Sequence, residues 1–246
     1  VHLSHGLVLY DMKNLLLAST SIIYGSDFLE YLLPELRVFF KGVRCITFVP
    51  YARPGGIQEH AYTQKVAQAF APIGIKVIGL DQQSDPAKAI NEAEALFTGG
   101  GNTFLLVKRL YDLGLMQPLK AALIAGTPYL GTSAGTNICG QTMSTTNDMP
   151  IVHPPQYEVL QQIPFNLNPH FIEPDLNSVH MGETRETRIR EYLTQNQTPV
   201  IGLREGSWLR VHGEDISLKG PHNAAVFKQN EPTFYIPSGQ NLNTIH

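Results

Sequence analysis

The strongest constraint on the fold is a regular alternation of short apolar runs with longer helical patterns. K-N-L-L-L-A-S (13–19), C-I-T-F-V-P-Y (45–51), I-K-V-I-G-L (75–80), A-L-F-T (95–98) and T-P-Y-L-G-T (127–132) read as strands. Between them, 27–36, 57–71, 86–93, 102–113 and 117–125 carry helical spacing. Strands and helices alternating at these lengths argue for βαβ units, hence an α/β fold with a mostly parallel sheet and helices on both faces. After about residue 140 the pattern changes. Residues 141–170 are loop-rich, with prolines at 150, 154, 155, 164 and 169. A helix is expected at 183–194, a strand at 199–203, and W-L-R-V-H, I-S-L-K, A-A-V-F-K and T-F-Y-I read as antiparallel C-terminal edge strands. No linker interrupts the apolar spacing, so 12–246 reads as one α/β domain.

Composition narrows the function classes. Across 246 residues, 43% are hydrophobic and 16% charged, enough for a sizeable core. A net charge of −3 with scattered basic residues points away from nucleic acid and from anionic membrane surfaces. No apolar stretch approaches the roughly 20 residues that span a bilayer. The two cysteines, Cys45 and Cys139, sit in apolar surroundings and read as buried free thiols in a reducing, cytoplasmic compartment. Residues 1–11 read as a non-native or upstream extension, with Met12 as the natural start.

Chemistry enters at Gly131-Thr-Ser133-Ala-Gly135, which matches the nucleophile-elbow pattern G-x-S-x-G. A sharp strand-to-helix turn holds such a serine in strained geometry, and side chains two residues either way would collide. The helix expected from Ala134 points its first amides at an anion, making Ala134 N–H an oxyanion donor. A second glycine turn, Thr98-Gly-Gly-Gly-Asn102, also follows an expected strand. Gly101 N–H is the matching second donor. Asn102 reads either as N-cap of the next helix or, if the turn serves a ligand, as a substrate-binding residue. In a parallel sheet both turns gather at the strands' C-terminal edge.

For a base the chain offers nine histidines. His2 and His5 lie in the extension, His246 is terminal, His60 falls in an expected helix, His212 in a late strand and His222 in a P-H-N turn, and His153 and His180 lie in loops with no evident partner. His170, in N-L-N-P-H-F, follows a short strand and a stiffening proline. Asp148 in T-T-N-D-M-P and Glu205 in L-R-E-G-S-W are both candidate acids, and spacing does not choose between them.

Taken together, G-G-G-N-T-F, G-T-S-A-G-T-N, T-T-N-D-M-P-I-V, N-P-H-F, G-E-T-R-E-T-R-I-R-E and V-I-G-L-R-E-G, in this order, resemble the peptidase E family of α-aspartyl dipeptidases. The resemblance runs from about residue 12 to about 228. It implies a fold like that of class I glutamine amidotransferases and a serine mechanism on peptides with an N-terminal aspartate. It makes Ser133 the nucleophile and His170 the base, with Glu205 or Asp148 as the acid. Glu205 is favoured because it lies in a short, glycine-bounded turn after a core strand, whereas Asp148 can be satisfied by local Asx-turn bonds. Arg185, in the G-E-T-R block, becomes the clamp for the substrate's side-chain carboxylate, since a guanidinium offers two parallel donors. Against this stands a second reading of the run as a solvated, ion-paired helix face, with Glu186 and Arg190 spaced i, i+4.

No metal or organic cofactor is expected, and the partner is a small peptide. Oligomeric state is open between a monomer and a weak dimer. Three alternatives compete: a cyanophycinase-like hydrolase of aspartyl polymers, an α/β-hydrolase using His222 as base, and a catalytically silent peptide-binding domain of amidotransferase type.

Overall fold

Strand β1 (Asn14–Ala18) is completely buried from Leu15 onward, and its side chains divide between two cores. Leu15 and Leu17 join one apolar cluster and Leu16 and Ala18 the other. Only a central strand covered on both faces gives that division. The computed structural model describes residues 13–245 except 56, 57, 176, 178, 180 and 181. The expected extension 1–11, with His2 and His5, lies outside the described residues, as do His180 and His246.

The alternation expected up to residue 140 is present, with one shift. Residues 27–36 do not form one helix. A 3-10 turn over Glu30–Leu32 leads into α1 (Leu33–Phe39), which places Pro34 in the first helical turn. Proline lacks the N–H that a helix interior needs and is tolerated only at such a start. There follow β2 (Cys45–Val49), α2 (Glu59–Phe70), β3 (Lys76–Gly79), α3 (Pro86–Asn91), β4 (Leu96–Thr98), α4 (Thr103–Asp112), α5 (Met116–Ile124), β5 (Tyr129–Thr132) and α6 (Ala134–Asn137). Beyond the long loop lie β6 (Asn166–Pro169), α7 (Arg185–Gln195), β7 (Val200–Leu203), β8 (Trp208–His212), β9 (Asp215–Lys219), β10 (Ala224–Phe227) and β11 (Phe234–Ile236).

Among the described residues the strands form two sheets. The larger has the order β3-β2-β4-β5-β1-β8-β9. Its first five strands are parallel, and β8 and β9 add an antiparallel edge beside β1. The smaller has the order β11-β10-β7-β6, with β6 and β7 parallel. The C-terminal strands therefore do more than extend one edge: β7, β10 and β11 leave the main sheet and build a second one with β6. Burial explains the split. Every residue of β7 and of β10 is buried, which suits strands covered on both sides rather than an exposed edge.

One face of the main sheet is covered by α1 and α2 through Leu36, Phe40, Tyr62, Val66 and Phe70. The opposite core takes residues of α3, α4 and α5, and also Leu167, Ile201, Leu203 and Val226 of the second sheet. Ser19, directly after β1, bonds both His170 N–H and Leu203 O, which sets the ends of β6 and β7 beside the C-terminal end of β1.

Candidate active site

Ser133 follows β5 directly, with φ 53° and ψ −110°. A non-glycine residue occupies that region only under constraint, and the constraint is visible. Ser133 N–H donates to Ala18 O (3.2 Å), while Ser133 O accepts from Asn137 N (2.8 Å) and Thr136 N (3.0 Å). A Cβ at Gly131 would lie 2.6 Å from Gly135 O, and one at Gly135 would fall inside contact distance of Thr98 O. Both glycines are thus required by close backbone approach, as the elbow pattern implied. The following helix is shorter than expected. α6 is a single turn, because Leu160 N–H takes Ile138 O, Gln162 N–H takes Cys139 O and Gln161 N–H takes Gly140 O. A single turn sums few peptide dipoles, so Ala134 N–H stands at the start of one turn and not at the end of a long dipole.

His170 leaves the end of β6, and Glu205 follows the end of β7. The register pairs Pro169 with Leu203, so the two residues emerge side by side at one sheet edge. His170 Nε2 is 2.8 Å from Ser133 Oγ, and His170 Nδ1 is 2.6 Å from Glu205 Oε1. With Nδ1–H donated to the carboxylate, Nε2 is the free lone pair that accepts the Ser133 hydroxyl proton. His170 itself has φ 56°. Its backbone N–H donates to Ser19 Oγ (2.8 Å), and that hydroxyl donates to Leu203 O (2.7 Å). Ser19 is fully buried and had no signal in the sequence beyond its place at the end of an apolar run. His222, the base of the α/β-hydrolase alternative, is exposed in the bend before β10, while the imidazole that bonds Ser133 Oγ is that of His170.

The second glycine turn meets the first. A Cβ at Gly100 would lie 2.9 Å from Ser133 Cβ, so this glycine lets the turn approach the serine. Gly100 O accepts from Tyr62 Oη (3.2 Å). In a trans peptide the next N–H, that of Gly101, points away from that carbonyl. Tyr62 is 1% exposed, and burial pushes its phenol up, opposed by the charge of Arg53, whose guanidinium lies 4.5 Å from the ring centroid. Neither Gly101 N–H nor Ala134 N–H donates to an acceptor among the described residues.

Asp148 and Glu205 differ in their partners. Asp148 Oδ2 accepts from Thr103 N (2.7 Å), Thr103 Oγ1 (2.6 Å) and Thr146 Oγ1 (3.0 Å), and among the described residues no hydrogen bond or ion pair joins Asp148 to His170. Glu205 is the carboxylate brought to the imidazole. Asn102 is held as the N-cap of α4: its Oδ1 accepts from Leu105 N (3.0 Å) and its Nδ2 donates to Met149 O (2.9 Å). Each end of its amide thus makes a hydrogen bond inside the fold, which is the N-cap arrangement.

A cleft of about 270 Å³ joins these groups, lined among others by Ser133, Ala134, Asn137, Asp148, His170 and Arg185. Arg185 starts α7 and is separate from the ion pairs expected of its run. Glu186 and Arg190 do pair (3.9 Å), and Arg190 is tied to Lys228 O, Glu231 O and Thr233. Arg185 Nη1 is buried without a partner. Its burial lowers the guanidinium's pKa, against which the charges of Glu205 and Asp148 act. Asn137, 1% exposed, likewise has Oδ1 buried and unpartnered, while its Nδ2 donates to Leu167 O (2.8 Å). The sequence reading passed over Asn137, although it stands four residues after Ser133, on the same side of a helical turn.

The sequence model described as Peptidase family S51 matches residues 15–219 of this chain. Peptidase E of Streptomyces coelicolor is 44% identical over 233 residues, covering 94% of each chain. A Drosophila melanogaster protein named "Probable alpha-aspartyl dipeptidase" is 44% identical over 220 residues, covering 88% of this chain and 90% of that one. Among solved structures, a peptidase from an acI-B1 Actinobacterium superposes with a TM-score of 0.69 at 15% identity, over 95% of this chain and 97% of that one. That likeness carries the fold, the α/β arrangement of amidotransferase type that the motifs implied.

Proposed function

This chain belongs to peptidase family S51, and we propose that it is a serine-type dipeptidase hydrolysing peptides with an N-terminal aspartate. One observation carries the mechanism: the unbroken sequence of hydrogen bonds Ser133–His170–Glu205, at 2.8 and 2.6 Å, beside a cleft containing an unpartnered arginine nitrogen.

In this reading the Ser133 hydroxyl gives its proton to His170 Nε2 as Oγ attacks the carbonyl carbon of the N-terminal residue. Glu205 fixes the tautomer and stabilises the imidazolium. The oxyanion forms where Gly101 and Ala134 N–H groups are free to donate, a pair in which one lost donor costs roughly 3–4 kcal/mol. His170 then returns the proton to the departing amine, the C–N bond breaks, and an acyl-Ser133 ester remains. Water, deprotonated by His170, hydrolyses the ester and restores the serine. Arg185 receives the substrate's side-chain carboxylate with two parallel donors, which gives its buried Nη1 the acceptor it lacks. No step calls for a metal or an organic cofactor. The free thiols of Cys45 and Cys139 suit a reducing, cytoplasmic compartment, and among the described residues no helix is long and apolar enough to cross a membrane.

The test is hydrolysis of Asp-Leu beside Leu-Leu and N-acetyl-Asp-Leu. Native protein is expected to cleave Asp-Leu alone, Ser133→Ala none, and Glu205→Gln to lose kcat with Asp-Leu still bound. Cleavage of aspartyl polymer but not of Asp-Leu would move the assignment to the cyanophycinase-like alternative. Peptide binding without turnover by native protein would move it to the silent domain.

A further inference from the structure

The cleft beside Ser133 contains more unmet hydrogen-bonding capacity than the carboxylate clamp explains. Arg185 Nη1 is a buried donor without an acceptor, and Asn137 Oδ1 is a buried acceptor without a donor. Both residues line the same cleft as Ser133 and His170. Asp148 lines it too, and its three hydrogen bonds all fall on Oδ2, leaving Oδ1 unengaged. Asp148 and Arg185 feel each other's charge but form no ion pair, so one cleft presents a separated cation and anion. A ligand matching that arrangement brings its own anion and its own multi-proton cation a few bonds apart. The N-terminal aspartyl residue of a peptide is such a group: a side-chain carboxylate and an α-ammonium flank the carbonyl to be attacked.

Resting on the proposed dipeptidase reading, we infer that Asp148 Oδ1 and Asn137 Oδ1 bind the substrate's free α-ammonium group. An ammonium carries three donors and no acceptor, so two carbonyl-type oxygens complete it. A buried acceptor left alone is costly, and a cation's N–H is the strongest donor available to it. The pair therefore requires a free N-terminus and restricts the enzyme to removing the first residue. Asp148 becomes a binding residue, fixed at the start of α4 by Thr103 and Thr146, rather than the acid of the catalytic chain.

The experiment measures binding in the Ser133→Ala protein by calorimetry, with Asp-Leu and with N-succinyl-leucine, which is Asp-Leu lacking only the α-amino group. Adding Asp148→Asn keeps an oxygen for Thr103 and Thr146 while turning an N–H₂ toward the ammonium. We expect affinity for Asp-Leu to fall roughly 10- to 100-fold and affinity for N-succinyl-leucine to stay within about twofold. Asn137→Ala should shift the two ligands in the same unequal way, and it leaves Leu167 O still bonded by Thr145 Oγ1. Equal losses for both ligands would mean that Asp148 only shapes the cleft, and no loss for either would place the ammonium elsewhere. Either result overturns the inference. If the unsubstituted Ser133→Ala protein binds neither peptide, and native protein leaves Asp-Leu intact, the dipeptidase reading itself has failed.

Discussion

Ser19 shows how a residue remote from the chemistry can fix its geometry. Its single hydroxyl joins His170 N–H to Leu203 O, two residues before Glu205, while the adjacent Ala18 O accepts Ser133 N–H and the Thr136 hydroxyl. Ser133, His170 and the strand end that leads to Glu205 are therefore suspended from two consecutive residues, Ala18 at the end of β1 and Ser19 directly after it. Removing the hydroxyl leaves a buried N–H and a buried carbonyl with one partner fewer, and the strained φ of His170 then has less to hold it. Ser19→Ala is expected to lower kcat on Asp-Leu roughly tenfold, the equivalent of about 1.4 kcal/mol, with KM little changed. Steady-state kinetics checks this, and a change in KM with kcat intact would assign Ser19 to the binding side instead. At this scale the sequence marked Ser133 through its glycine spacing, which has a local cause, whereas His170 stood out among the histidines only through the family resemblance. Spacing did not choose between Glu205 and Asp148, and Glu205 was favoured only for its glycine-bounded turn, because their difference is one of register: β6 pairs with β7, which no spacing along the chain encodes. Asn137, Tyr62 and Ser19 were missed for the same reason, each acting through a partner distant in sequence.

The element that most limits the site is α6, one turn packed closely against the ends of β4 and β5. Gly135 sits where a Cβ would overlap Thr98 O, Thr98 C and Thr98 Cβ, all of them parts of β4 that a parallel strand pairing holds in place. Gly135→Ala should therefore displace α6 rather than its neighbour, costing roughly 1–3 kcal/mol and lowering the thermal midpoint by about 2–4 °C for each of them. Because Ser133 is the cap of that turn, kcat should fall with it. Calorimetry and kinetics on one sample test the link, and a stable variant with unchanged kcat would break it. Elements were the most readable level of the sequence where hydrophobic period and punctuation agreed, as for β4, β5, α4 and α5. They were least readable where long-range hydrogen bonds decided the matter. The short α6 ends because residues 160–162 return to take its trailing carbonyls, and the second sheet exists because β6 recruits β7 from 30 residues further on.

Over the whole molecule, the proposed mechanism divides its parts between two sheets. Ser133 rides on the main sheet, whereas His170 and Glu205 ride on the smaller one. Such a division works only if the sheets cannot part, and their cores are continuous: Leu15, Leu17, Leu96 and Tyr129 share one cluster with Leu167, Ile201, Leu203 and Val226. A shared apolar core of this kind predicts that the sheets unfold together, as one cooperative unit. Trp208, the single tryptophan, pairs with Ala18 in the main sheet and reports on that half. Hydrolysis of Asp-Leu reports on the junction, because it needs both sheets in register. In a guanidinium titration the Trp208 emission and the activity remaining at each concentration should therefore fall at one midpoint. Activity lost well before the tryptophan signal would mean that the smaller sheet detaches first, and the serine would then be left on an intact scaffold without its base.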